Sequence, residues 1–355
     1  MVIFGIIATS AVLIFSDSIV RFLGGTDELF LYTKEYLTTV ILFSICFMCG
    51  YAMEVYIRID GNPTFPMISV ISGGILNVIL DYLFIAVLKM GIRGAAIATG
   101  LAQISMSIIL LTYILKKSKK LKFVKIDNFF RRVFKIISMG ISEFLAEVST
   151  GISIYFFNIA ILKEIGDIGV TAFGIISYIT TFVTMAMIGF NQGLQPIVSL
   201  NLGRKDYKKI RKVFKIAIIT VIISSLLFYL VINIFTIDII KAFINEKVAI
   251  NLTKRSMKIY SLSYLLSGIN ILIAGYFTSI NKAKQASIIT ALRGIILIIV
   301  LIYILPLVFG ELGLWLTVPI SETITLIISL IFLKRFKVGE ENNEKNKRYE
   351  RIREI

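Results

Sequence analysis

Asn77 and Asp81 stand four residues apart in a strongly apolar stretch, so a helix would place them on one face. There an amide oxygen and a carboxylate can converge on one cation or proton. A plainer alternative makes Asp81 a polar cap near the membrane interface beside Lys89. Glu143 and Glu147 repeat the spacing in Ser142-Glu143-Phe144-Leu145-Ala146-Glu147. Two carboxylates so close repel when both are ionised, an arrangement suited to sharing a proton. For Glu143 a structural place at the interface fits equally well. Glu322 and Arg293 lie inside the last two apolar stretches and form a potential pair whose orientation the sequence leaves open. Cys46-x-x-Cys49 has redox spacing, but its apolar surroundings favour packing. The chain has no His and no phosphate-binding Walker loop, which argues against an enzyme, a resident cofactor or ATP hydrolysis. Any work it does must draw on an ion gradient.

The elements that would carry these residues follow from composition. A mean hydropathy of +0.87, with 57% hydrophobic and 17% charged residues, leaves too little polar cover for a soluble domain. The expectation is an all-α integral membrane protein. Apolar runs long enough to cross a bilayer fall at 1–16, 32–57, 64–88, 93–115, 134–160, 168–199, 211–235, 257–279, 286–309 and 312–333, giving ten crossings. Every second loop is basic, notably Lys116 to Lys135, Arg204 to Lys212 and Lys334 to Arg353. Basic loops stay on the cytoplasmic side, so both termini are expected there, in a multi-pass protein of the plasma (bacterial inner) membrane. The net charge of +16 then reports topology and contact with anionic lipid, not nucleic-acid binding.

The chain also repeats itself. Asp17-x-Ile19-x-x-Phe22 recurs as Asp238-x-Ile240-x-x-Phe243, Asp60-Gly61-Asn62 matches Asn281-Lys282-Ala283, and Gly91-Ile92-Arg93-Gly94 matches Gly310-Glu311-Leu312-Gly313, all about 220 positions apart. Repeats of that period in an apolar chain point to a secondary transporter of two related bundles. The expected organisation is an incomplete helical lobe over 1–115, a basic cytoplasmic linker over 116–133, a six-helix lobe over 134–337 and a polar tail over 338–355. Residues 134 to about 220 have no earlier counterpart, so an intact parent is expected to carry about 85 more N-terminal residues forming two helices.

Several motifs resemble the multidrug and toxic compound extrusion (MATE) transporters. They are Gly189-Phe190-Asn191-Gln192-Gly193-Leu194-Gln195-Pro196-Ile197 with Asn201-x-Gly203, Arg58-x-Asp60-Gly61-Asn62-Pro63, Asn77-x-x-x-Asp81-Tyr82-Leu83-Phe84, and Gly91-x-x-Gly94-Ala95-Ala96-x-Ala98-Thr99. The resemblance implies an antiporter of two pseudo-symmetric lobes that exports organic, often cationic, compounds while Na⁺ or H⁺ enters. It implies coupling roles for Asn77, Asp81 and Thr99, completed in the family by an Asp on its first helix, and for Glu147. Around Ser267-Gly268-Ile269-Asn270, where some relatives carry a further Asp, this chain has no acid. Gln192, Gln195, Pro196 and Met185 are expected at the substrate cavity, with Tyr178, Phe182, Met187 and Phe190 as possible apolar lining. Gly73, Gly74 and Gly193 are expected at close helix approaches or bends. The expected partners are small organic substrates and membrane lipid, with no metal beyond a Na⁺ at Asp81, and the expected state is a monomer. Two alternatives stand: a lipid-linked oligosaccharide flippase of the same superfamily, which would want more mid-span Arg or Lys, and a non-transporting fragment.

Overall fold

The structure, a computed structural model, describes residues 1–22, 27–118, 121 and 129–336. All secondary structure among them is helical, and ten helical segments are long and apolar enough to cross a membrane. Lipid offers no partner to backbone N–H and C=O groups, so a spanning chain must satisfy them within its own helices. The chain divides into two compact units, 1–126 and 127–355. Residues 119–120 and 122–128 of the expected linker, and all of the expected tail, lie outside the described residues.

The first unit comprises α1 (Val2–Phe22), α2 (Asp27–Val40) running through a 3₁₀ turn into α3 (Ser44–Asp60), α4 (Thr64–Asp81) continued by a π-helical segment Tyr82–Val87, and α5 (Gly91–Lys116). Helix α5 is its centre and packs on α2, α3 and α4. Small residues permit this: Gly100 lies directly under the Phe43 ring, Gly50 faces Ser107, and Gly73 of α4 seats on Met106. Gly74 and Gly193, by contrast, have no atom within 4 Å of where a Cβ would stand, so they are not close-approach sites. Asn62 Oδ1 accepts a hydrogen bond from Phe65 N–H (3.3 Å), which caps the start of α4.

The second unit comprises α6 (Phe129–Glu164), α7 (Asp167–Gly203), α8 (Tyr207–Ile234), a short α9 (Thr236–Lys241), α10 (Lys247–Tyr260) joined by a 3₁₀ turn to α11 (Tyr264–Ser279), α12 (Ala283–Ala291) joined by a π-helical turn Leu292–Ile296 to α13 (Leu297–Phe309), and α14 (Glu311–Arg335). Helix α11 is central and packs on α7, α8, α12 and α14. Trp315, Tyr264, Phe157 and Phe277 form the interior, while Ile219, Ile223, Leu227 and Leu230 of α8 remain exposed, as a lipid-facing surface requires.

Two expected boundaries change. The first crossing does not stop at Ser16: α1 continues to Phe22, with non-helical dihedrals at Phe15 (φ −103°, ψ 17°). In that continuation Asp17 pairs with Lys34 of α2 (2.6 Å). The eighth crossing, expected to begin at 257, begins at Lys247, while the fifth, expected at 134–160, falls within α6.

The sequence repeat is written into the backbone. The break at Phe15 has its match at Phe235 (φ −96°, ψ 17°), 220 residues later, ahead of the recurring Asp. The left-handed residues closing the polar turns are Gly61 (φ 101°) and Asn281 (φ 61°), and those before the last helix of each unit are Gly91 (φ 59°) and Gly310 (φ 56°). Glycine and asparagine are the residues that tolerate this region. The turn alignment thus shifts by one: Gly61 pairs with Asn281, not with Lys282.

Candidate functional site

In the first unit α4 and α5 bring Asn77 and Thr99 together, with Asn77 Nδ2 donating to Thr99 Oγ1 at 3.4 Å. Thr99 spends its own proton on the Ala95 carbonyl (3.0 Å), so its oxygen is an acceptor toward Asn77. With its amide donor engaged, Asn77 keeps a carbonyl oxygen for other use. Asp81 follows one turn along α4, half-buried, and its Oδ1 is buried with no hydrogen-bond partner. Among the described residues no ion pair or hydrogen bond joins it to Lys89. The π-helical segment begins at the next residue, Tyr82. Such widened turns break the regular carbonyl ladder and cluster at functional positions. The result is a group of neutral and anionic oxygens within a spanning helix pair, without a cation among the described side chains that reach it.

In the second unit Glu143 and Glu147 lie close enough for their charges to repel, and Glu143 has a hydrogen-bond partner besides. Glu143 accepts a hydrogen bond from Gln195 Nε2 (3.3 Å), so α6 and α7 meet at one of the expected cavity residues. Glu147 is exposed and makes no hydrogen bond or ion pair among the described residues. On α7, Gln192, Gln195 and Pro196 are half-buried, and Pro196 cannot donate to the Gln192 carbonyl one turn earlier. Met185, Phe182 and Tyr178 are exposed, Phe182 meeting Phe228 edge-on and Tyr178 stacking on Phe243. Met187 is a correction: it is fully buried against Ser225 and Gly268 and lines no surface. Asn191 is 7% exposed, its Oδ1 has no partner, and its amide group lies directly over Gly275 of α11. Cys46 and Cys49 are free thiols.

The strongest polar cluster of the second unit was legible only as a loose pair. Arg293 reaches Glu322 with Nη2 at 2.6 Å and Nε at 3.1 Å. Asn270 Nδ2 donates to the other carboxylate oxygen at 2.7 Å, and Ser329 Oγ donates to Asn270 Oδ1 at 3.2 Å. The carboxylate that Asn270 meets thus comes from α14, 52 positions later. The available signal was two opposite charges in the last two apolar stretches; the amide between them gave none. Among the described residues no group of three or more metal-ligating side chains occurs.

Comparison with known proteins agrees with this architecture. The profile of the MatE family matches residues 1–83 and 144–304. Multidrug export protein MepA of Staphylococcus saprophyticus is 23% identical over 335 residues, which cover 93% of this chain and 73% of that protein. MepA of Staphylococcus aureus is 24% identical over 348 residues, covering 96% and 76%. Of solved structures, the MATE multidrug transporter DinF-BH superposes with a TM-score of 0.85 at 30% identity, covering 94% of this chain and 75% of its own. A MATE in complex with MaL6 superposes with a TM-score of 0.87 at 19% identity over 94% and 76%, a likeness of fold.

Proposed function

Since this chain belongs to the MatE family, we propose that it is a multidrug efflux antiporter of the plasma membrane, expelling organic cations in exchange for Na⁺ or H⁺. The observation that carries this reading is the unpartnered Asp81 oxygen beside the Asn77–Thr99 pair. A carboxylate oxygen buried in a membrane span without a partner is costly unless a proton or cation joins it. The donors nearby, a carboxylate, an amide carbonyl and a hydroxyl, suit a hard monovalent cation or a proton. Antiport then needs one thermodynamic property: ion at Asp81 and drug elsewhere must each disfavour the other, because coupling is reciprocal.

For the drug, the exposed Tyr178, Phe182 and Met185 offer flat and polarisable contact, and the Glu143–Gln195 pair offers negative charge. Gln192 and Pro196 shape the same helix. Glu147 acts as a further carboxylate on α6. The flippase reading is weaker because Arg293, a mid-span cation, is neutralised by Glu322 and is not free for a lipid phosphate. The basic loops support a topology with both termini cytoplasmic.

The test is competition on purified protein. Binding of a planar cationic dye such as ethidium should weaken as Na⁺ or proton concentration rises, and Asp81→Asn, which keeps size and removes the ionisable charge, should bind dye with that antagonism lost. Dye binding that ignores both ions in the unmutated protein would overturn the reading.

A further inference from the structure

Helix α14 turns one polar stripe inward: Ser321, Glu322, Thr325 and Ser329 are all buried, the last three spaced at helical three-to-four-residue intervals, and Glu322 is 3% exposed. Facing them on α11 is Asn270, 0% exposed. Asn270 turns its Nδ2 toward Glu322 and its Oδ1 accepts from Ser329, so the oxygens left free around the carboxylate are hydroxyls. Thr325 Oγ1 has no hydrogen-bond partner. The carboxylate at its centre demands a counter-charge, and the cation present is a side chain. Arg293 binds Glu322 through two nitrogens, at 2.6 and 3.1 Å.

The backbone is arranged to deliver that guanidinium. Arg293 lies in the π-helical turn Leu292–Ile296, where the widened helix frees carbonyls. Side chains take them up: Ser153 of α6 donates to the Gly294 carbonyl at 2.8 Å and Ser321 of α14 to the Arg293 carbonyl at 3.4 Å. Gly294 itself lies directly against Ser149, so the turn could not carry a larger residue there. A carboxylate inside a spanning bundle demands a counter-charge, and a planar donor fork holds one more firmly than a free ion does.

We propose that Arg293 is the resident cation of a carboxylate–amide site inside the second unit, filling on a tether the place that a free alkali cation would take. The Arg293–Glu322 site therefore keeps its charge balanced without exchanging ions with solution, and only removal of the tether opens it to a monovalent cation. This goes beyond the coupling role given to Asp81 and does not depend on it.

The experiment uses the whole chain in detergent micelles with Asp81→Asn and Glu147→Gln present in every variant, so the outcome is the same whether or not either carboxylate binds the coupling ion. Thermal midpoints are read as Na⁺ replaces choline at constant ionic strength and mildly alkaline pH. With Arg293 intact the midpoint should be flat. Arg293→Met should start lower and rise by about 5 °C once Na⁺ is well above its dissociation constant. Adding Glu322→Gln should remove that rise. Should Arg293→Met fail to fold in choline, its yield of monodisperse protein should recover when it is purified in Na⁺. A Na⁺-dependent midpoint with Arg293 intact overturns the proposal. So does an Arg293→Met protein whose midpoint and yield ignore Na⁺ while Arg293→Met/Glu322→Met regains stability, since the pair would then be a packing element only.

Discussion

Helix α11 can sit at the centre of the second unit because Gly275 leaves room for the Asn191 amide of α7, and that contact can be measured. A Cβ built on Gly275 would overlap Asn191 Oδ1, Cγ and Nδ2, so Gly275→Ala forces the amide out of a fully packed place. Overpacking of this kind costs about 1–3 kcal/mol. Alanine returns at most about 1 kcal/mol through helix propensity, and less if the helix persists in the unfolded state within the micelle. The net expectation is a loss near 1–2 kcal/mol, which for a unit of this size lowers the melting midpoint by roughly 2–8 °C. The same substitution in an Asn191→Ala background meets no amide, so only the propensity gain remains and the sign should reverse. Coupling between the two positions should thus be about 1–3 kcal/mol. Asn191→Ala alone also removes an unpartnered buried oxygen, which recovers part of what its lost contacts cost. Thermal unfolding of the four proteins in one detergent decides the matter. Effects that add within about 0.5 kcal/mol would show that α7 and α11 do not meet at this pair.

Gly61→Ala should destabilise the first unit by about 1–2 kcal/mol, because φ is 101° there, whereas Asn281→Gly at φ 61° should be neutral or slightly stabilising; the two melting curves test the backbone repeat. With Cys46 and Cys49 replaced by Ser, a Cys at Asp167 should react with a membrane-impermeant thiol reagent in intact cells and one at Lys209 only after permeabilisation; the reverse pattern would invert the proposed topology. Asp206→Ala should cost about 1 kcal/mol by removing the cap that accepts from Lys209 N–H at 3.0 Å, and an unchanged midpoint would show that α8 does not rely on it.

Helix number, span positions and family were legible in the sequence because each rests on local quantities. A run of apolar residues is long enough to cross or it is not, and lipid then dictates a helix whatever its neighbours are. The repeat could be read as well: the Asp17 and Asp238 motifs sit just after the paired breaks at Phe15 and Phe235, and Gly61 with Asn281 closes equivalent turns. Asn77 and Asp81 could be placed on one face because four residues of helix fix that geometry. What no local rule could supply was the partner across helices. The sequence brought Glu143 and Glu147 onto one face by spacing, but the hydrogen bond from Gln195 to Glu143 depends on how α6 packs against α7. It found no acid near Asn270, since the acid arrives from α14, and it could not aim Arg293 because a π-helical turn resets the angle of every residue after it. Met187 and Met185 are two residues apart, and only packing sent one to the core and left the other exposed. Composition decides that a chain enters the membrane; which oxygens find each other there depends on helix rotation and on small residues such as Gly275 that set how closely helices approach.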